Sequence, residues 1–102
     1  ENNFFYLSQI STRINKLLEI QTMNQNINDI ELALDSLKPK IFWKDRPIYV
    51  QQLNRWNIEM LNKALNIVGK TELMMKKNSL IRSDLLIKKL LINLCNKFIS
   101  HF

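Results

Sequence analysis

The stretch Asn57–Lys77, NIEMLNKALNIVGKTELMMKK, has the apolar spacing of a long helix. Asn57 is a good N-cap, because its side-chain oxygen can accept hydrogen bonds from the free backbone N–H groups of the first turn. One apolar stripe consists of Ile58, Leu61, Leu65 and Val68. A second stripe beside it consists of Met60, Ala64, Ile67, Thr71 and Met74. Two stripes exceed what one neighbouring helix covers, so the pattern predicts a central helix or one that also meets a partner protein.

The polar side of this helix has two acid–base pairs at i, i+4, Glu59 with Lys63 and Glu72 with Lys76. The acid comes first in both, which is the more favourable orientation. Gly69 in the helix interior costs about 1 kcal/mol relative to Ala. We therefore expect a close helix contact at Gly69.

The remaining sequence predicts four more helices. With the central one, they span residues 3–23, 28–37, 45–56, 57–77 and 83–99, with caps at Asn28 or Asp29, Asp45, Asn57 and Ser83. In the first helix the inward stripe is Phe4, Leu7, Ile10, Ile14 and Leu17. Met23–Asn26 breaks this pattern and is predicted to be a loop. Trp56 closes the third helix at a corner just before Asn57.

The final helix is apolar around most of its circumference. The apolar residues within it are Leu85, Leu86, Ile87, Leu90, Leu91, Ile92, Leu94, Cys95, Phe98 and Ile99. A helix of this kind is buried on most sides. We expect either the other helices or a partner chain to cover it.

Composition sets the fold class. The chain has 102 residues, one Gly and two Pro, which fits one domain over residues 1–102 and few tight turns. We predict an all-α bundle of about five helices. The first residue is Glu1, which suggests a segment of a longer chain or a processed chain. No apolar run is long enough to span a membrane, and no signal peptide is visible.

Residues that carry chemistry are scarce. Cys95 and His101 are the only cysteine and histidine, so we predict no metal site, and we predict that Cys95 is a buried structural thiol. The carboxylates Asp29, Glu31 and Asp35 are expected on a solvated helix face. No Gly-rich loop can hold phosphate, and we predict no cofactor and no small-molecule ligand. A small enzyme for an acidic substrate would need cations converging from facing helices.

The formal net charge is +6, which is typical of proteins that bind nucleic acid. The lysines are spread along the chain, however, and no basic stripe interleaved with aromatic residues is evident. The Asn, Ile and Lys bias of an AT-rich genome also explains the charge. Large aromatics at helix joints usually fill the core, so Trp43 and Trp56 are expected to be structural. Met60, Met74 and Met75 suit either an adaptable interface or the core.

The run from Trp43 and Arg46, through Leu53-Asn54-Arg55, to Thr71-Glu72-Leu73 and Lys76 is similar to a known family. From Phe42 to Cys95 the chain resembles the C-terminal domain of the delta subunit of the bacterial DNA polymerase III clamp loader. Pro47 and Trp56 depart from the family pattern.

The resemblance implies a role in DNA replication. The delta subunit belongs to the AAA+ family, and C-terminal domains of this kind pack into a collar with those of the other clamp-loader subunits. Its N-terminal domain, rather than the collar domain, binds the sliding clamp, and delta has no ATPase motifs.

The resulting prediction is a cytoplasmic, non-enzymatic collar domain that meets the other subunits through its last two helices. The sliding clamp and DNA are partners only of the full-length protein or complex. The predicted interface is Met60, Ala64, Ile67, Thr71 and Met74, and Glu72 and Lys76 are predicted to be structural. Two alternatives remain: a free-standing basic helical module that binds nucleic acid, and an unrelated helical protein-interaction domain.

Overall fold

The computed structural model describes residues 3–77 and 82–94. This part of the chain forms five helices and no strand, which confirms the predicted all-α bundle. The helices are α1 (Asn3–Ile27), α2 (Ile30–Asp35), α3 (Arg46–Arg55), α4 (Ile58–Lys77) and α5 (Ser83–Leu94). The predicted continuation of the last helix to Ile99, and with it Cys95, lies outside the described residues.

Helix α1 is the centre of the bundle. It packs against each of the other four helices, with its most extensive contact against α4, whereas α4 packs against α1 and α5. Of the two alternatives predicted for α4, a central helix is therefore wrong, and a contact with a partner protein stays a prediction. α1 is the longest of the five helices, and its length allows it to reach α2 and α3 at one end and α5 at the other.

The core draws apolar residues from all five helices and the segment after α2. Its buried members are Leu7, Ile14, Leu17, Ile20, Ala33, Leu34, Leu37, Leu53, Leu61, Ala64, Val68, Met75, Ile87, Leu90 and Leu94. Within the described ranges no polar or charged residue is buried. A core made only of apolar residues leaves every charge at or near the surface, where functional contacts are made.

The junction between α1 and α2 differs from the prediction. Met23–Asn26, expected to be a loop, continues α1 because Met23 packs against the core. The helix ends at Ile27, and the next residue, Asn28, has a left-handed φ of 56°. The N–H of Asn28 donates to the Asn24 carbonyl at 2.6 Å. Asn tolerates this conformation better than most residues. Asp29 then caps α2, as one of the two predicted caps.

The corner between α3 and α4 follows the sequence closely. Trp56 is extended and ends α3, and its N–H donates to the Gln52 carbonyl at 2.9 Å. The Asn57 side chain accepts from the Met60 N–H at 2.8 Å, which confirms the predicted cap of α4. At the other end of α3, Asp45 occupies the N-cap position without a side-chain cap hydrogen bond.

Candidate association surfaces

The predicted interface stripe on α4 is not an open surface. Ala64 is fully buried in the domain's own core. Met60 and Ile67 are partly buried against the same core, and the Thr71 hydroxyl donates to the Ile67 carbonyl at 3.0 Å. Only Met74 is substantially exposed. The prediction that Ala64 contacts a partner is therefore corrected, because Ala64 belongs to the domain's own core.

Helix α5 has apolar side chains on two opposite sides. Ile87, Leu90 and Leu94 are buried and hold it against the bundle. Leu85 and Ile92 are 52% and 61% exposed. They are seven residues apart and therefore share the side of the helix that faces away from the core. Of the two expectations for this helix, complete cover by the other helices is wrong, and cover of its outward side by a partner chain stays a prediction.

Further apolar surface lies where α1 meets α5. Phe4, Phe5 and Tyr6 are exposed in the first turn of α1, so Phe4 does not belong to the inward stripe as predicted. Phe4 precedes Leu7, the first residue that α1 buries. Between the two helices lies a groove of about 390 Å³, lined on one side by Tyr6 and Ile10 and on the other by Ile87 and Leu91.

The connector between α2 and α3 exposes a second kind of surface. Trp43, expected to fill the core, is 70% exposed. The inward positions of this segment are taken by Leu37, which is buried, and Ile41, which packs against the core. Phe42 is also exposed, and its ring centroid lies 6.0 Å from that of Trp43. The correction follows from register: the residues after Ile41 lie in a turn over the surface.

This connector is also basic. Lys38, Lys40 and Lys44 are exposed, and the Lys44 ammonium lies 5.5 Å from the centre of the Trp43 ring. None of the three has an ion-pair partner within residues 3–77 and 82–94. The segment KPKIFWK thus interleaves cations with exposed rings, in contrast to the expectation that the chain has no such basic stripe. The sequence shows this pattern only if Trp43 is taken to be exposed rather than buried.

Arg46, the first residue of α3, pairs with two acids beside this connector. Its guanidinium contacts Glu31 and Asp35, which were expected to be solvated. Hydrogen bonds to Glu31, and next to Asp35, raise the pKa of Arg46 above its ordinary value. One guanidinium compensates only one of the two carboxylates, so a single negative charge of this group remains beside the three lysines.

Two part-buried hydrogen bonds that no sequence pattern predicts support the corner between α3 and α4. The Gln21 side-chain amide donates to the carbonyls of Leu53 and Trp56 at 2.7 and 2.8 Å. Trp56 itself is half-buried and packs against the core. No local pattern identifies Gln21, because its acceptors are more than thirty residues away in sequence.

The expected polar pairs on α4 are present. Lys76 lies 3.2 Å from Glu72, and Lys63 lies 3.8 Å from Glu59. At the start of α5, Arg82 lies 2.7 Å from Asp84, and its hydrogen bond is the main cause that lowers the pKa of Asp84. All six side chains are at least partly exposed, so these pairs shape the surface charge more than they stabilise the fold.

Neither a metal site nor a membrane-spanning segment is found in the described ranges. No group of three or more His, Cys, Asp or Glu side chains there is placed to hold an ion. No helix there is long and apolar enough to cross a membrane. Comparison of the chain with protein-family models, curated proteins and solved structures gives no match. The structure thus defines a helical bundle with an exposed apolar helix face and a basic aromatic connector.

Proposed function

We propose that this domain is a protein–protein association module. The observation that carries the proposal is the outward side of α5, where Leu85 and Ile92 are exposed although the opposite side of the helix is buried. Scattered apolar residues are normal on protein surfaces, but contiguous apolar patches mark interaction sites. The exposed Phe4, Phe5 and Tyr6 in the first turn of α1 add to the apolar surface.

The specific form of the proposal is a collar domain of the clamp-loader delta subunit. The residues that carry the resemblance have roles consistent with a folded scaffold: Arg46 joins α3 to α2, Leu53 is in the core, and Glu72 pairs with Lys76. In this proposal the domain is cytoplasmic and non-enzymatic, and it packs against the C-terminal domains of the other loader subunits. Its link to the sliding clamp and to DNA passes through the rest of the complex.

The test is assembly with the helical C-terminal domains of the other clamp-loader subunits from the same organism, measured by gel filtration with light scattering. We expect the wild-type domain to join the complex. Leu85→Ser with Ile92→Ser should block assembly while circular dichroism stays unchanged. Leu32→Ser is the matched control, since Leu32 on α2 is 53% exposed. Failure of the wild-type domain to assemble would refute the clamp-loader proposal.

A second candidate function, binding of single-stranded nucleic acid, is favoured by the connector. Proteins that bind single strands combine cations for the phosphates with aromatic rings on which bases stack. Lys38, Lys40 and Lys44 supply the cations, and Phe42 and Trp43 supply exposed rings. All five side chains are exposed, so the segment is open to solvent.

This candidate is tested by fluorescence anisotropy with a labelled oligothymidylate. Trp43→Ala should weaken binding by about 5- to 150-fold, because stacking of one base contributes about 1–3 kcal/mol. Lys38→Gln with Lys40→Gln should reduce the dependence of affinity on salt. Phe5→Ala is the control, since Phe5 is an exposed ring outside the connector. An affinity that changes neither with Trp43→Ala nor with salt concentration would eliminate this candidate.

A further inference from the structure

The outward side of α5 has a charge pattern as well as an apolar one. Lys88 and Lys89 lie between Leu85 and Ile92 in sequence, and both are exposed. Helical geometry places one lysine on each side of the line that joins the two apolar residues. The apolar side chains are therefore flanked by positive charge on both edges.

This charge is not compensated within the described part of the chain. The acid of α5 is Asp84, four residues before Lys88, and it holds Arg82 instead. Neither Lys88 nor Lys89 forms an ion pair with residues 3–77 or 82–94. By contrast, Lys63 and Lys76 on α4 each pair with a glutamate of their own helix. The outward side of α5 thus has two unpaired cations around an exposed apolar pair.

We infer that this side of α5 binds an amphipathic helix of a partner protein whose apolar stripe is flanked by carboxylates. The partner's apolar residues would cover Leu85 and Ile92, and its carboxylates would lie beside Lys88 and Lys89. Complementary charge at the rim of an apolar contact directs partner choice and speeds association. The inference rests on the proposed association function and specifies the chemistry of the partner.

A second copy of this chain does not fit the same surface. If two α5 helices packed antiparallel, Leu85 would face Ile92 of the other copy, but each lysine would then lie beside the same lysine of the other copy. A parallel arrangement places Lys88 of one copy beside Lys89 of the other. Like charges held opposite one another disfavour the contact, so the pattern selects a different, acidic chain.

A membrane surface or a nucleic acid fits less well. A helix that lies in a lipid interface buries a wide apolar face, and here the widest apolar face, with Ile87, Leu90 and Leu94, is committed to the bundle. A nucleic acid would satisfy the two lysines but leave Leu85 and Ile92 without a cover. A helix with both apolar and acidic residues can cover Leu85 and Ile92 and also pair with the two lysines.

The experiment uses two synthetic helical peptides with the same leucine spacing. One has Glu at the positions beside the leucines, and the other has Lys there. We expect the Glu peptide to bind the 102-residue chain more tightly than the Lys peptide, with an affinity that falls as salt rises. NMR shift changes should centre on α5.

Charge reversal provides the decisive comparison. Lys88→Glu with Lys89→Glu should weaken binding of the Glu peptide on the order of tenfold and improve binding of the Lys peptide, because each attraction becomes a repulsion. Lys63→Glu with Lys70→Glu on α4 makes the same change of charge elsewhere and should leave both affinities nearly unchanged. Equal affinity for the two peptides, binding of neither, or shift changes away from α5 would overturn the inference. Concentration-dependent dimers, or binding to anionic phospholipid vesicles that exceeds peptide binding, would also overturn it.

The two proposals can fail separately. If the clamp-loader domains assemble with wild-type protein and equally with Lys88→Glu, Lys89→Glu protein, the acidic-partner inference is wrong and the association function stands. If they do not assemble but the peptide preference reverses on charge reversal, the clamp-loader proposal is wrong. The acidic helix then belongs to another protein.

Discussion

Arg46 holds Glu31 through both the side chain and the backbone of that residue. Nη2 of Arg46 donates to Glu31 Oε1 at 2.8 Å and to the Glu31 carbonyl at 3.0 Å, and Nε donates to Oε1 at 3.0 Å. Nη1 lies 2.9 Å from Asp35 Oδ1. One guanidinium therefore ties the start of α3 to the whole length of α2, and it fixes both ends of the connector that has Trp43.

We predict that Arg46→Lys lowers the midpoint of thermal unfolding and loosens the connector. Lysine has a single compact ammonium, which cannot reproduce the fixed fork of donors that Arg46 presents to several oxygens. Lys63→Ala, which breaks an exposed pair within one helix, is the control and should have a smaller effect. The measurement is a circular dichroism melt. An Arg46→Lys melt identical to that of the wild type would show that a positive charge at this position stabilises the domain as well as the fork of donors does.

We predict that loss of the Gln21 side-chain N–H donor lowers the stability of the domain. Its amide donates to the carbonyls of Leu53 and Trp56 at the end of α3, where helix carbonyls accept from side chains. Gln21→Glu keeps the size but replaces the donor by acceptors and a charge, and it should destabilise the domain by about 1–3 kcal/mol. Gln21→Met, which lacks both effects of the carboxylate, should cost less. Urea titration measures both, and equal stability of the two variants would contradict this assignment.

The two tryptophans should differ in their contribution to stability. Trp56 is half-buried against the core and ends α3, so we expect Trp56→Ala to destabilise by about 1–3 kcal/mol. This is less than a fully buried ring would lose. Trp43→Ala should change stability by less than about 0.5 kcal/mol, as is usual for surface positions. Thermal melts of both variants test this, and a large loss for Trp43→Ala would mean that its ring supports the fold.

Local sequence patterns predict where the helices begin and end better than they predict which residues are buried. The cap at Asn57, the helix over 58–77 and the end of α3 at Trp56 follow from residues adjacent in sequence, and the structure has them. Which helix is central, and which of two apolar stripes faces the core, depends on contacts between distant segments. The apolar spacing of α4 therefore does not distinguish Ala64, which is in the core, from an interface residue. The contact of Gln21 is not predictable for the same reason, and the size of Trp43 suggests burial although its position after Ile41 places it on the surface.

Gly69 offers a test of the exposed side of α4. The expected close helix contact is absent, since a Cβ built at Gly69 meets nothing within 4 Å. Gly69→Ala should therefore stabilise the isolated domain by about 0.5–1 kcal/mol, because Ala loses less backbone entropy in a helix. Chemical denaturation measures the change. Destabilisation would contradict the open surroundings, and a stabilised variant that no longer assembles would show that a partner approaches α4 closely at this position.

Variants at Ala64 and Ile67 test whether the second apolar stripe of α4 belongs to the core or to an interface. If the stripe were an interface, glutamate at both positions would leave the domain folded and block assembly. The structure leads to the opposite expectation for Ala64, which is fully buried among apolar residues. An unpaired carboxylate there costs several kcal/mol, against a net stability of about 5–15 kcal/mol for a typical domain.

We therefore predict that Ala64→Glu alone abolishes cooperative unfolding or strongly lowers its midpoint. Ile67→Glu, at a partly buried position, should have an intermediate effect because its carboxylate can reach solvent at the edge of the helix contact. Asn62→Glu adds the same charge at an exposed position two residues from Ala64 and should leave the melt almost unchanged. Circular dichroism distinguishes the three variants. A folded Ala64→Glu domain with a wild-type melt would return this stripe to the surface and make it, rather than the outward side of α5, the first candidate for the partner contact.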